Sequence, residues 1–503
     1  MIEEELRELI ETVQRRGCEW QTTEIKAANR GCPEKLYDTI SAFSNQDDGG
    51  VLLFGLDERN NFAKVGVYDA QHLQKKVSEY CEQMTPPVRP VFTVYDDEGK
   101  VFVSAEIPPI DVAERPCFKA SKGRLKGSYV RVGEADVPMT EYEVYSFEAF
   151  RKKLRDDIRL AEGAAADELD KKRLNAYMER IRSERPNLAL LPEEQQLKLS
   201  SITCDGGITL AALLLFGLFP QARYPRLSIN ASCIPGKEIG EIDTHGSRFT
   251  DSKRIEGTLT EMLEQALDFV RKNTRTSTEI DPLSGKRTDI PQYPMDAVRE
   301  AVLNALVHRD YSVHTEGKPI QLNLYEDRLE IINPGGLYGR LTLDQLGRTQ
   351  PDTRNPMLVT AMEALGKTEN RYSGIPTIRR AMEQRLLPPP LFESTADLFK
   401  VTLYHERESG GLAAAPVRPS ARGEVEASLL AYCHTPRSRS EIAAFLNIQS
   451  IPYAMRRYVE PLLQSGALRM TIPGKPRSHS QRFIAAEPSS GNAPTADKRG
   501  WSS

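Results

Sequence analysis

Residues Tyr293 to Tyr311 read YPMDAVREAVLNALVHRDY, and this stretch organises the rest of the chain. Val298, Val302, Ala305 and Leu306 recur at helical spacing and predict an amphipathic helix. Glu300 and Asn304 stand four apart, so both project from one face of it. His308-Arg309-Asp310 follows. A carboxylate can take a proton from water, and an amide oxygen can ligate magnesium. The pair, with His308 and Asp310 beyond it, suits a magnesium-nucleotide site. The same spacing also fits a partly buried amphipathic helix with a polar end.

Downstream, Ile320 to Leu324 and Leu329 to Ile332 alternate like a hairpin around Glu326-Asp327, and the chain then reaches Asn333-Pro334-Gly335-Gly336-Leu337. Ser373-Gly374-Ile375-Pro376 opens a helix that continues through Met382. A glycine at a helix start leaves backbone N–H groups open to a phosphate. Helix, hairpin, glycine turn and glycine-led helix, in that order over residues 290–405, resemble the Bergerat (GHKL) ATP-binding fold. The likeness is to its divergent branch, found in bacterial proteins often labelled helicase-related. The resemblance implies ATP and Mg2+ as cofactors and Glu300 as base. It also implies Asn304 as magnesium ligand, Asn333 near the adenine with Gly335 and Gly336 in the first glycine box, and Ser373 and Gly374 near the phosphates. Two departures stand out. Asn333 replaces the family's usual Asp and brings no charge, although it can still accept a hydrogen bond. Arg371-Tyr372 precede Ser373 where the family has more glycine. No G-x-x-x-x-G-K-[ST] loop accompanies the helicase label; Gly366-Lys367-Thr368 has Ala361 where the leading glycine belongs.

At 503 residues the chain is expected to hold several domains, each with its own core. A hydrophobic share of 39% and a charged share of 27% are those of a soluble globular protein. The apolar stretch Leu210 to Leu218 is too short to span a bilayer, so no membrane partner is expected. The N-terminus, MIEEELRELIETVQRRG, reads as an acidic amphipathic helix closed by Gly17, and not as a signal peptide. Seven cysteines without C-x-x-C spacing indicate neither a zinc site nor a disulfide framework and fit a cytoplasmic setting. A net charge of −4 carries no global nucleic-acid signal, so any such signal is local.

Residues 1–145 carry a second set of motifs. Glu19-x-x-x-x-Glu24-Ile25-Lys26 leads into a strand, Leu36 to Phe43 into a helix, and Asp48-Gly49-Gly50 into the apolar strand Val51 to Leu56 and Asp57. Val101 to Ile107 and Lys126 to Gly133 are further strands, the latter with Tyr129 and Arg131 on one face. Together these pieces resemble the Schlafen AlbA-type domain, a family associated with nucleic-acid binding, some members of which cut transfer RNA with an acidic triad. Carried over, that triad is Glu19, Glu24 and Asp57, with Glu24 and Asp57 as ligands to Mg2+ or Mn2+. Lys26 would neutralise phosphate charge. Lys119, Lys122, Arg124, Lys126 and Arg131 make a basic strip for phosphates, or else the solvated side of a hairpin.

Residues 146–289 read as a mixed helical connector: helices at 147–160, 167–184, 208–217 and 255–272, a weak strand at 228–233, and no catalytic constellation. The region is expected to act as a spacer.

A Gly/Ala/Pro/Ser-rich linker spans 406–423, and 424–486 reads as three short helices with a hairpin, similar to a winged helix-turn-helix. Between residues 434 and 483, eight Lys/Arg face two Glu, leaving +6 in an acidic chain. Arg456 and Arg457 fall on the recognition helix, and Lys475 and Arg477 at the wing tip. Residues 487–503 read as a disordered tail.

The expected fold class is multidomain α+β: a Schlafen AlbA-like α/β domain, a mixed helical connector, a GHKL-like α/β sandwich and a winged helix-turn-helix. The leading function is a nucleotide-responsive nucleic-acid-binding protein, a DNA-binding transcriptional regulator that favours duplex DNA, with RNA as the other target and a homo-oligomer left open. The alternative is a metal-dependent nuclease using the N-terminal acids.

Overall fold

The computed structural model describes residues 1–244, 246–280, 287–366, 373–405, 429–430, 432–445, 455–459, 462–463, 467–471 and 482–485. The chain divides into two compact units, Met1–Arg407 and Glu408–Ser503.

The first part of the larger unit is a four-stranded sheet in the order Thr23–Lys26, Gly50–Phe54, Lys100–Ile107, Val91–Asp97. Only the first pair is parallel. Alternation along each strand feeds two separate cores. Leu52, Phe54, Val103 and Ala105 pack with Ile40, Phe43, Leu73 and Val77 of the helices Tyr37–Ser44 and Ala70–Glu82. Leu53, Phe102 and Ile25 pack on the other face against Leu6, Ile10 and Val13 of the helix Glu3–Arg16. That helix ends as expected at Gly17, whose φ of 65° is left-handed. The 126–133 stretch is not one strand. Gly123–Gly127 is a short helix and the strand is Tyr129–Val132, paired with Ala135–Pro138.

A second, six-stranded sheet runs Asp251–Ile255, Ile229–Cys233, Ile320–Leu324, Arg328–Pro334, Leu398–Tyr404, Leu391–Ser394. All neighbours are antiparallel except Ile229–Cys233 beside Ile320–Leu324. The helices Leu259–Asn273 and Met295–His308 share its core: Met262, Leu263, Ala266 and Val270 of one lie in the same buried cluster as Val298, Val302 and Leu306 of the other. Residues 146–289 are therefore no spacer. They supply two strands of this sheet, and the helix Leu210–Phe216 has every side chain buried in the same continuous core. The expected helix at 147–160 is instead Glu141–Lys152, ended by Lys153 in the left-handed region, and a 3₁₀ turn Asp156–Ile158 follows. Among the described residues no helix is long and apolar enough to cross a membrane.

In the smaller unit the strands Arg437–Ser438, Arg482–Ala485 and Leu468–Met470 form a sheet with Arg482–Ala485 in the middle. The helix Arg439–Phe445 contributes Ile442 to a core with Leu429, Cys433, Val459, Leu468 and Phe483. Lys475 and Arg477, the linker at 406–423 and the tail at 487–503 lie outside the described residues, as do the side chains of Arg456 and Arg457.

Candidate functional site

The helix Met295–His308 is apolar almost all round. Ala297, Val298, Ala301, Val302, Leu306 and their neighbours are buried. Of its polar residues, Asp296 and Arg299 lie in the first turns, and Glu300, Asn304 and His308 follow at intervals of four, in one row over about 12 Å of helix. All three line one cavity of about 330 Å³. Ile331, Phe399 and Val401 of the six-stranded sheet form one wall, and Leu337, Leu341, Leu346 and Ile378 close the rest. Apolar walls with a few converging polar groups are the usual make-up of a small-molecule site.

At one end the helix Gly374–Gln384 begins against the row. A Cβ added to Gly374 would lie 3.0 Å from the Asn304 Nδ2 and 3.1 Å from the Glu300 Oε2, so a side chain there would crowd both groups. Ser373 stands at the N-cap without a side-chain capping bond. The Gly374 and Ile375 N–H groups, which have no partner within the helix, thus open beside a carboxylate and a carboxamide, while Pro376 has no N–H and that of Thr377 binds the Ser373 carbonyl at 2.7 Å. Ser373 and Gly374 both line the cavity.

At the other end lie Asn333, Gly335 and Gly336, all on the cavity wall. Gly335 adopts φ 96°, and a Cβ there would meet the Arg354 Nη1 at 2.5 Å and the Asp310 Cβ at 2.6 Å; the turn needs glycine on both counts. Asn333 is 4% exposed, and its Oδ1 is buried without a hydrogen-bond partner among the described residues. A buried, unpaired carbonyl costs about 1–3 kcal/mol and calls for a reason. His308 lines the cavity with its side chain still exposed.

Asp310 departs from the expectation of a ligand contact. It is buried outside the cavity wall, 2.8 Å from the Arg354 Nη1, and accepts hydrogen bonds from the Tyr142 hydroxyl at 2.6 Å and the Ser312 N–H at 2.8 Å. The helical row ends at His308, and the Asp310 N–H binds the Pro334 carbonyl instead, which turns the side chain inward. Two groups that no motif flagged are Arg354, 6% exposed and on the cavity wall, and Tyr142 behind Asp310. The helix of Tyr142, Glu141–Lys152, also sets Phe150 edge-on to Tyr338 of the cavity wall, centroids 5.4 Å apart.

The N-terminal acids do not gather as a metal-holding triad. Arg131, with its side chain 1% exposed, donates to the Glu24 Oε2 at 2.7 Å and the Asp136 Oδ1 at 2.9 Å, with a Glu19 oxygen 3.7 Å away. Lys26 pairs with the other Glu24 oxygen. Glu19 is tied to the Ile25 N–H at 2.7 Å; burial, and then the charge of Glu24, raise its carboxyl to about 7. Burial acts to raise Glu24 too, but Lys26 and Arg131 hold it below its ordinary value. Asp57 instead accepts from the Arg59 N–H at 3.2 Å and caps the turn Glu58–Asn60. Among the described residues no three His, Cys, Asp or Glu side chains are grouped to hold a metal. Arg131 is likewise unavailable to a phosphate. Of the expected basic strip, Lys122 pairs with Asp38 and Arg124 with Glu148, Lys119 lies over the Tyr37 ring, and Lys126 is exposed.

Three families match parts of the chain. Residues 19–140 match the family "Schlafen, AlbA_2". Residues 317–403 match HATPase_c_4, described as "Putative ATP-dependent DNA helicase recG C-terminal"; this match begins after the helix that carries Glu300 and Asn304. Residues 424–484 match "Filamentation induced by cAMP protein Fic-like, C-terminal domain". No curated protein matches the chain. Among solved structures, the DIP2311 protein from Corynebacterium diphtheriae is 20% identical, covering 96% of this chain and 97% of its own, with a TM-score of 0.38. The N-terminal domain of a "Putative ATP-dependent DNA Helicase RecG-related Protein" from Nitrosomonas europaea is 25% identical, covering 27% of this chain and 93% of its own, with a TM-score of 0.22. The chain is a mixed α/β multidomain protein in which one segment matches Schlafen AlbA_2 and another matches HATPase_c_4.

Proposed function

We propose that this protein binds nucleic acid in response to a nucleotide, acting as a DNA-binding transcriptional regulator whose central domain takes ATP with Mg2+. The observation that carries this reading is the meeting of the Glu300 carboxylate and the Asn304 carboxamide with the uncapped start of the Gly374 helix, inside a cavity of about 330 Å³. The residues fit the group. Asn304 offers a neutral oxygen to the ion, and the Gly374 and Ile375 N–H groups offer donors to phosphate oxygens. Asn333, with its unpaired Oδ1, offers an acceptor to the base. Glu300 is the one carboxylate in the row and can hold a water or take its proton. When bound, the magnesium nucleotide would supply a cleavable anhydride and a strong local charge.

The ends of the molecule supply the nucleic-acid side. The AlbA_2 match covers the N-terminal domain, and the +6 segment between residues 434 and 483 supports a duplex-binding winged helix. Responsiveness has a physical route in the larger unit: the helix Glu141–Lys152, next after the AlbA_2 match, touches the cavity wall through Tyr142, Asp310 and Arg354 and through Phe150 and Tyr338.

The test is a magnesium-ATP titration followed by thermal unfolding, on wild type and Asn304→Ala, then gel shift with duplex DNA. Wild type should gain several degrees at saturating nucleotide and Asn304→Ala should not. DNA affinity should differ with and without nucleotide. An unmoved wild-type melting temperature, or equal DNA affinity in both states, would remove the reading.

A further inference from the structure

We propose that the base subsite of this cavity accepts 6-oxopurine as well as 6-aminopurine nucleotides, because the group that reads the base is the Asn333 carboxamide. The inference rests on the cavity being a nucleotide site and goes on to name which nucleotides it takes. Asn333 sits opposite Phe399 in the sheet register, and its side chain makes no hydrogen bond among the described residues. The backbone donors of the adjoining turn are already committed. The Gly335 N–H binds the Asp397 carbonyl at 2.8 Å, the Gly336 N–H the Ala396 carbonyl at 3.4 Å, and the Leu337 N–H the Ser394 hydroxyl at 3.0 Å. Reading of the base edge at this turn therefore falls on the Asn333 amide.

A carboxamide presents an acceptor and a donor side by side, and rotation by half a turn exchanges them. Adenine offers a donor at its 6-amino group next to an acceptor at N1. Guanine offers an acceptor at its 6-oxo group next to a donor at N1. The same two hydrogen bonds form in either case, with the amide in one orientation or the other. A carboxylate at this position could only accept and would make one of the two bonds with adenine. Two further cavity-wall atoms lack a hydrogen bond among the described residues: the Thr353 hydroxyl, which can donate or accept by rotation, and the Arg354 Nη1, which is taken up by the Asp310 carboxylate at 2.8 Å. Neither Asn333 nor Thr353 imposes a fixed donor or a fixed acceptor on the 6-position.

The experiment measures magnesium-ATP and magnesium-GTP affinity on the full chain by calorimetry, for wild type and Asn333→Leu. The two wild-type dissociation constants should agree within about tenfold, whereas a site with a fixed donor or acceptor separates such pairs by far more than ~100-fold. Asn333→Leu, close in volume and without polar groups, should weaken both nucleotides by a similar factor. Preference for one nucleotide beyond ~100-fold in wild type would overturn the inference and leave the nucleotide site standing. Loss confined to one nucleotide in Asn333→Leu would do the same. Binding of neither by wild type would overturn the inference together with the reading beneath it.

Discussion

Arg131 sits where a nucleic-acid-binding surface was expected, yet its surroundings make it a structural cation. Glu24 and Asp136 hold it on two sides, Glu19 approaches, and almost none of its side chain meets solvent. Removing one partner from such a cluster leaves the others buried without compensation, which costs more than the cluster contributes. Arg131→Met should therefore destabilise the AlbA_2 domain by about 3–5 kcal/mol. Urea unfolding followed through Trp20, which lies beside this domain's core, measures it; an unchanged midpoint would contradict the assignment. The contrast between Arg131 and Glu300 also explains what was legible in the chain. That Glu300 and Asn304 share a face was readable because a helix repeats every 3.6 residues and the apolar positions declare its buried side. Arg131 was not, because a strand fixes only which face a residue occupies. Whether that face meets solvent or three carboxylates depends on Glu19, Glu24 and Asp136, which stand far away or in another strand. Asp310 was misplaced for a related reason: the helical row stops at His308, and residues beyond a helix end no longer inherit its faces.

At the scale of elements, the helix Pro356–Ala364 has no capping side chain of its own at Asn355. Its cap comes from Asp157, about 200 residues earlier in sequence, whose Oδ2 accepts from the Met357 N–H at 2.9 Å and the Leu358 N–H at 3.4 Å. Asp157 is fully buried, and desolvation raises its carboxyl from 3.8 to about 6. The folded state thus holds the proton more tightly than the unfolded chain does. The stability this contributes is complete below about pH 4 and is lost as the pH rises through about 6. Asn at this position keeps an acceptor and never charges. The difference in unfolding free energy between Asp157→Asn and wild type should move towards the variant from pH 4 to pH 7, by on the order of 1–3 kcal/mol. Denaturant midpoints at several pH values measure this, and parallel profiles for the two proteins would refute it. No local pattern announces a cap of this kind. The elements 259–273 and 229–233 were visible as a helix and a strand, but their sheet partners were not, since pairing is settled by a strand some 90 residues away.

Across the larger unit, Tyr142 is the one side chain of its helix that hydrogen-bonds to Asp310, and Asp310 in turn pairs with Arg354 on the cavity wall. Under the proposed function, Tyr142→Phe should leave magnesium-ATP affinity within about threefold of wild type while reducing the nucleotide's effect on DNA affinity to less than about twofold, against the 5–150-fold usual for coupled sites. Gel shift with and without nucleotide reads the second quantity and calorimetry the first. Full retention of the nucleotide effect in the variant would exclude this route.

The parallel seam between Ile229–Cys233 and Ile320–Leu324 carries a consequence for biosynthesis. The two strands are separated by a long stretch of chain, so a nascent polypeptide that has emerged only through the first of them carries an apolar strand with an unsatisfied hydrogen-bonding edge. On one side Asp251–Ile255 can cover it early; the other side waits until the ribosome has added the helix Met295–His308 and the strand beyond. High contact order of this sort slows folding and lengthens the interval in which sticky surface is exposed. Fragments cut between residues 256 and 319 should accordingly aggregate, whereas a chain ending just after Arg407 contains every strand the sheet requires.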